Sequence, residues 1–300
     1  MKKNILIIMM GQLRGGDYGR STQKKYLVDH LNADLAICFG DERNNSDQNI
    51  KGIKYNWNFE EYTNWRKYFS KYFSQNIFEN LEKGKDWFLM GGIDSYTGSG
   101  AKIFAIRDIL LRNHLDIIET YDQVILTRSD YIYLDYHPKL DKKNIWVVEG
   151  EDYFGITDRH YVFPGKEAKS ILGICDYLDM KDIYKEWPDP KNPEVVLMSY
   201  LKHVNLYDHI KRFKRTQMIV KRPSLAIDDS DSRHGLRLFF FKDLYAKKIG
   251  EFEDALNNLN LFKNFNYLNL RLKLNYYIFQ LKKLINNLSF KIIKKRIFVQ

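Results

Sequence analysis

The chain predicts an α/β fold with a mostly parallel sheet flanked by helices, followed by a basic amphipathic helical tail. Three observations carry this expectation. Short apolar runs alternate with helix-length periodic segments, a glycine-rich loop follows the first apolar run, and positive charge is gathered at one end.

The elements follow in order. Asn4 to Met10 is a short apolar run that ends at Gly11-Gln12-Leu13-Arg14-Gly15-Gly16, a pattern for a buried strand feeding a tight loop. A helix is expected from Ser21 to Leu31 and a second strand from Asp34 to Phe39. Gly40 to Asn49 is polar and acidic, a surface loop. Phe59 to Leu81 is aromatic-rich and predicts a helix. Glycines bracket a further loop between Gly91 and Gly100. Ala101 to Glu119 then places Ile103, Ile106, Ile109 and Leu110 on one side of a helix. Gln123 to Thr127 is nearly all apolar, as a strand covered on both faces requires. The second half is less regular, with a strand at Ile145 to Val148, a helix from near Pro164, a helix over Pro193 to His203 and a strand near Gln217 to Val220. No internal repeat is visible. Residues 1–254 form the expected catalytic-type domain and residues 255–300 the tail.

The formal net charge is +10, which by itself would point to nucleic acid. Its distribution points elsewhere. From Ala255 onward there is no Asp or Glu, while nine Lys and Arg lie there, leaving about +1 for residues 1–254. In the tail Leu270, Leu274, Ile278, Leu281, Ile285, Leu288 and Ile292 recur at steps of three and four, with Lys282, Lys283, Lys294 and Lys295 largely off that stripe. A basic amphipathic helix suits an anionic membrane surface, where each basic residue contributes on the order of 1 kcal/mol. Packing on the body or on a second subunit is the structural alternative. Nucleic acid is not expected as a partner, because the body is nearly neutral.

Several classes are set aside. A 300-residue chain can bury a full core, and its aromatic content argues against disorder. No run reaches the roughly 20 apolar residues that span a bilayer. The opening apolar run is too short for a secretory leader and has no small-residue cleavage pattern. Cys38 and Cys175 make neither a disulfide framework nor a zinc spacing, so a reducing cytoplasm is expected, with the protein peripheral on the inner face of the membrane.

In parallel sheets ligands bind outside the carboxyl ends of the strands. Two segments fall there. Gly11 to Gly16 offers backbone N–H groups and Arg14 to a phosphate or diphosphate, although it lacks both the P-loop and the dinucleotide fingerprints; a plain turn remains the alternative. After the Gln123 strand come Arg128-Ser129-Asp130. Charged groups at a buried strand end must pair or bind something. They fit a structural ion pair, or else a phosphate on Arg128 and a cation or sugar hydroxyl on Asp130.

The run Tyr121-Asp122-Gln123-Val124-Ile125-Leu126-Thr127-Arg128-Ser129-Asp130, the following Glu151-Asp152-Tyr153-Phe154-Gly155 segment and the Pro193-Glu194 helix start resemble bacterial surface-polysaccharide glycosyltransferases, as does the opening Gly11-Gln12-Leu13-Arg14-Gly15. These are the GT-A-like enzymes of capsule and lipopolysaccharide assembly, and the resemblance covers roughly residues 1 to 240. It implies a nucleotide-sugar donor and a glycan or lipid-linked acceptor. Gly11, Gln12, Arg14, Gly15, Lys102, Arg128 and Asp130 would then contact the donor. Many such enzymes hold Mn²⁺ or Mg²⁺ through Asp-x-Asp, where this chain keeps only the second acid, Asp130. His234, in the acidic Asp228-Asp229-Ser230-Asp231 loop, is a candidate additional ligand. Inverting transfer needs a carboxylate base, for which Asp158 leads and Asp152 and Glu194 follow. Exposed surface carboxylates are the alternative for all three. Rival functions are another polysaccharide-modifying transferase with a nucleotide donor, and a non-catalytic protein that binds through its basic tail.

Overall fold

A computed structural model describes residues 4–11, 16–40, 52–62, 64–87, 89, 100–150, 152–221, 239–241, 244–246, 249–258 and 267–293. Its elements in chain order are β1 (Ile5–Gly11), α1 (Gly16–Gln23), which widens into a π-helical turn at Lys24–Asp29, β2 (Asp34–Phe39) and β3 (Ile53–Asn56). Then come α2 (Arg66–Tyr72), α3 (Gln75–Glu82), α4 (Gly100–Ile118), β4 (Gln123–Arg128), β5 (Tyr131–Tyr133), β6 (Ile145–Val148) and β7 (Tyr161–Pro164). The rest are α5 (Ala168–Leu172), α6 (Ile174–Leu178), α7 (Pro193–His203), β8 (Ile210–Phe213), β9 (Gln217–Lys221), β10 (Phe239–Phe241), β11 (Leu244–Ala246), α8 (Ile249–Asn258) and α9 (Tyr267–Ile293).

These elements divide between two compact units, each discontinuous in sequence. The first is an α/β unit around a seven-stranded sheet of order β3-β2-β1-β4-β7-β6-β8. Pairing is parallel from β3 through β4 and between β6 and β8, while β7 pairs antiparallel with β4 and β6. Six strands therefore point one way and β7 runs against them, an arrangement compatible with a Rossmann-like fold. The central strands explain the apolar runs: β1, β2 and β4 are buried along almost their whole length because helices cover both faces.

The expected single helix over Phe59 to Leu81 is instead two. Phe59 bridges Gly40 in extended form beside the end of β2, and helix begins only at Arg66. Ser74 then breaks α2 from α3: its hydroxyl accepts from Asn76 N at 3.2 Å, and Asp179 accepts from Ser74 N at 3.0 Å and Ser74 Oγ at 2.7 Å. A capped serine satisfies the free N–H groups of a new helix start, which outweighs continuing the old one. The helix expected from Pro164 begins as a single tight turn, and the strand ahead of it, β7, escaped the sequence because four apolar residues carry no periodicity. The first helix starts at Gly16, earlier than Ser21.

In the second unit β5, β9, β11 and β10 form a four-stranded sheet in the order β10-β11-β9-β5. Gln23 of α1 donates to the carbonyls of Ser129 and Tyr131 at 2.9 and 2.7 Å, which fixes the helix on β5. Glu251 of α8 is fully buried, accepts from Ile219 N at 2.6 Å and faces Arg215 at 3.7 Å. In α9, Tyr276 and Gln280 donate to Glu253 of α8 at 2.6 and 3.1 Å. None of the described helices is long and apolar enough to cross a membrane.

Candidate functional site

The strand order of the first unit reverses at β1, whose neighbours β2 and β4 lead away in opposite directions. The crevice outside such a switch point is where open α/β sheets bind ligands. Gly11 ends β1 at φ 105°, a conformation open to glycine and strained for other residues, and turns the chain out of the sheet. Met10 is in register with Arg128, so Gly11 and Arg128 stand at neighbouring strand ends. The carboxyl ends of β6 and β8, Val148 and Phe213, lie on the same edge because both strands run with β4.

The segment from Asp152 to His160 also lies on that edge, since it leads into the amino end of antiparallel β7. Asp152 organises it. Its Oδ1 accepts from Arg212 Nη1 at 2.8 Å and from Thr157 N at 3.1 Å, and its carbonyl accepts from Gly155 N at 2.7 Å. Tyr153 and Phe154 are forced into positive φ, 43° and 72°, by this tight turn. Bulky residues rarely accept that strain outside functional loops. Phe154 is 81% exposed, an apolar ring face offered to water rather than to the core.

Glu194 contributes through its backbone. Its carbonyl accepts from Ile156 N at 3.0 Å, while Asn192 caps α7 by accepting from Val195 N at 2.8 Å and donates to Tyr153 O at 2.7 Å. The loop is thus seated on the α7 N-terminus. Gly155 permits the fit, because a Cβ there would fall on the backbone of Glu194 and Val195. Gly155→Ala is expected to destabilise the fold by about 2–3 kcal/mol, since the obstacle is main chain that cannot rotate away. Thermal unfolding checks this, and a loss under 0.5 kcal/mol would refute the seating.

Asp158 differs from Asp152. It is buried, 5% exposed, yet its carboxylate accepts no hydrogen bond among the described residues; its nearest cation is Arg159 Nε at 3.9 Å. Its main chain is held instead: Arg107 of α4, fully buried, donates from Nη2 to the Asp158 carbonyl at 3.1 Å and lies over the Tyr161 ring at 4.9 Å. Burial pushes the Tyr161 hydroxyl well above the ordinary phenol range, so it stays protonated. A largely buried carboxylate whose oxygens carry no hydrogen bond from the described residues can accept one from a ligand hydroxyl. Beside it, His160 Nδ1 meets Thr127 Oγ1 of β4 at 2.9 Å, and its ring stands edge-on to Phe213 at 5.6 Å.

The structure therefore gathers Gly11, Arg128, Asp152, Asp158 and the Glu194 backbone at one edge of the first unit. Arg107, Arg159, His160 and Arg212 join them and were not singled out from sequence. Arg159 and His160 directly follow Asp158, and that adjacency was the one available signal. Lys102, expected on the diphosphate, is instead buried in an ion pair with Glu61 and lies over Trp65 at 5.4 Å. Asp130 is buried in the turn after β4 and belongs to the second unit. Gln12, Arg14, Gly15, Glu151, His234 and the rest of the acidic 228–231 loop lie outside the described residues.

A divalent cation would find one described carboxylate from the expected set, Asp130. Among the described residues no three of His, Cys, Asp and Glu converge on a point, so these residues do not by themselves assemble the Mn²⁺ or Mg²⁺ site. Compared with known proteins, the chain matches no family model and no curated protein.

Proposed function

We propose that the chain is a glycosyltransferase on a GT-A-like sheet. It moves a sugar from a nucleotide-diphosphate sugar to a hydroxyl of a capsule or lipopolysaccharide glycan, or of its lipid-linked precursor. The observation that carries this reading is Asp158: a buried carboxylate, unspent in hydrogen bonding, on the ligand-binding edge of an α/β sheet. In an inverting transfer it takes the proton of the acceptor hydroxyl as that oxygen attacks the anomeric carbon and the bond to the diphosphate breaks. Arg128, at the end of β4, is the described cation for the departing diphosphate. Asp152 serves as scaffold, because Arg212 and the Thr157 N–H occupy its Oδ1. Phe154 offers an apolar surface on which a sugar ring can stack.

The test is a thermal-shift screen of the full chain against UDP, GDP, CMP and their sugars, each with and without Mn²⁺. A donor at about 100 times its Kd adds about 2.7 kcal/mol of stability, a rise of roughly 4 °C for a protein of this size. The expected result is one nucleotide class that shifts the midpoint, with the shift reduced at least by half in Arg128→Ala. No shift with any nucleotide would remove the donor site and with it this reading.

A further inference from the structure

α9 is amphipathic in an inverted sense. Toward the interior of the second unit it presents Phe279, Asn286 and Ser289, all buried. Toward water it presents Leu274, Tyr277, Ile278, Leu281, Leu284, Leu288 and Ile292, each between 46% and 78% exposed. At 100° per residue these seven side chains fall within an arc of about 120°, along a helix about 40 Å long. A continuous apolar surface of that extent is uncommon on a monomer that meets only water. Such a face is held for a partner.

The charge around it selects the partner. Residues 267–293 contain no Asp or Glu and carry Arg271, Lys273, Lys282, Lys283 and Lys291. Lys291 is exposed and adjoins one margin of the apolar arc. A second copy of α9 would bring like charges together with no acid to complement them, against the usual rule for paired helices. The arc is also wider than the narrow seam of a two-stranded coil. An anionic lipid surface answers both features: leucine and isoleucine side chains enter the acyl boundary while Lys291, at its margin, meets the headgroups.

We propose that α9 lies in the plane of an anionic bilayer and docks the protein there through its exposed apolar arc. This inference stands apart from the transferase reading, because it uses only α9 and requires no nucleotide.

The experiment is co-sedimentation of the full chain with vesicles of phosphatidylcholine containing about 30% phosphatidylglycerol, against pure phosphatidylcholine. The expected result is binding to the anionic vesicles at least tenfold tighter than to the neutral ones, weakened by high salt. The double variant Leu281→Glu/Leu288→Glu is expected to lose binding at least tenfold, and Lys291→Gln, at the margin of the arc, to weaken the preference for anionic lipid about fivefold. Both leucines are half exposed or more, so circular dichroism and the melting midpoint should stay at the parent values. The proposal is overturned if the parent chain stays in the supernatant, or if both variants bind as the parent does. It is equally overturned if the Leu281→Glu/Leu288→Glu change dissociates a dimer without any lipid binding, which would assign the face to a second copy. Salt-sensitive RNA binding in place of lipid binding would overturn it as well.

Discussion

Asp158→Asn is expected to lower sugar transfer by about a thousandfold while donor affinity stays within about twofold of the parent. General-base catalysis contributes typically 10²–10⁴ in rate, and an amide of the same shape removes the base without removing its volume. The Asp158 backbone is held by Arg107 and not through the carboxylate, so the loop should keep its position in the variant. The carboxylate also makes no hydrogen bond among the described residues that the amide would break. The measurement is transfer rate at saturating donor and acceptor, beside donor affinity by thermal shift. Asp152→Asn gives the contrast. It weakens the partly exposed contact with Arg212, worth about 0.5–1 kcal/mol, and disturbs the turn. Its effect should therefore be smaller and should appear partly as lost stability. Activity within tenfold of the parent in Asp158→Asn would exclude this residue as the base.

Lys102→Ala carries the largest expected effect on stability, a loss of about 3–5 kcal/mol. Lys102 and Glu61 are both nearly inaccessible to water, and the pair is enclosed by Trp65 and by the backbone at Gly40. A Cβ on Gly40 would occupy the space that the Glu61 carboxylate fills, so the absence of a side chain there makes room for the acid. Removing the lysine leaves that carboxylate buried without its cation. Removing both charges, in Glu61→Gln/Lys102→Met, should recover most of the loss, since a buried ion pair rarely exceeds its own desolvation cost by much. Urea unfolding of the two variants separates the cases. If Lys102→Ala instead unfolds like the parent and raises the KM for the donor, the ammonium belongs to the diphosphate and the pairing with Glu61 is secondary.

Most of the first unit was legible in the sequence. β1, β2, β4, β6, α4 and α7 lie within a residue or two of their expected places, because apolar runs report two-sided burial directly and a proline marks a helix start. The split between α2 and α3 was not legible. It depends on Asp179, about a hundred residues away, accepting from Ser74 and Ile77. β7 was missed for a related reason: four residues become a strand by pairing with β4 and β6, not by their own pattern.

The site divides the same way. Sequence alone placed Gly11 and Arg128 after strands and marked Asp152, Asp158 and Glu194 as acids of interest, since residue type and local order are written along the chain. It put Asp158 first by its place after the Tyr153-Phe154-Gly155 segment, but it could not say which carboxylate already has a partner. Two identical carboxylates six residues apart become a scaffold and a candidate base because one meets Arg212 and the other is buried without a donor. For the same reason Lys102, which looked available for phosphate, is committed to Glu61 across 41 positions of sequence. The α9 stripe was visible as a period, but a period does not say which side faces water; only packing against α8 left the leucines outside. Burial and partner choice are properties of distances in space, and in this chain they are set by residues that lie far apart along it.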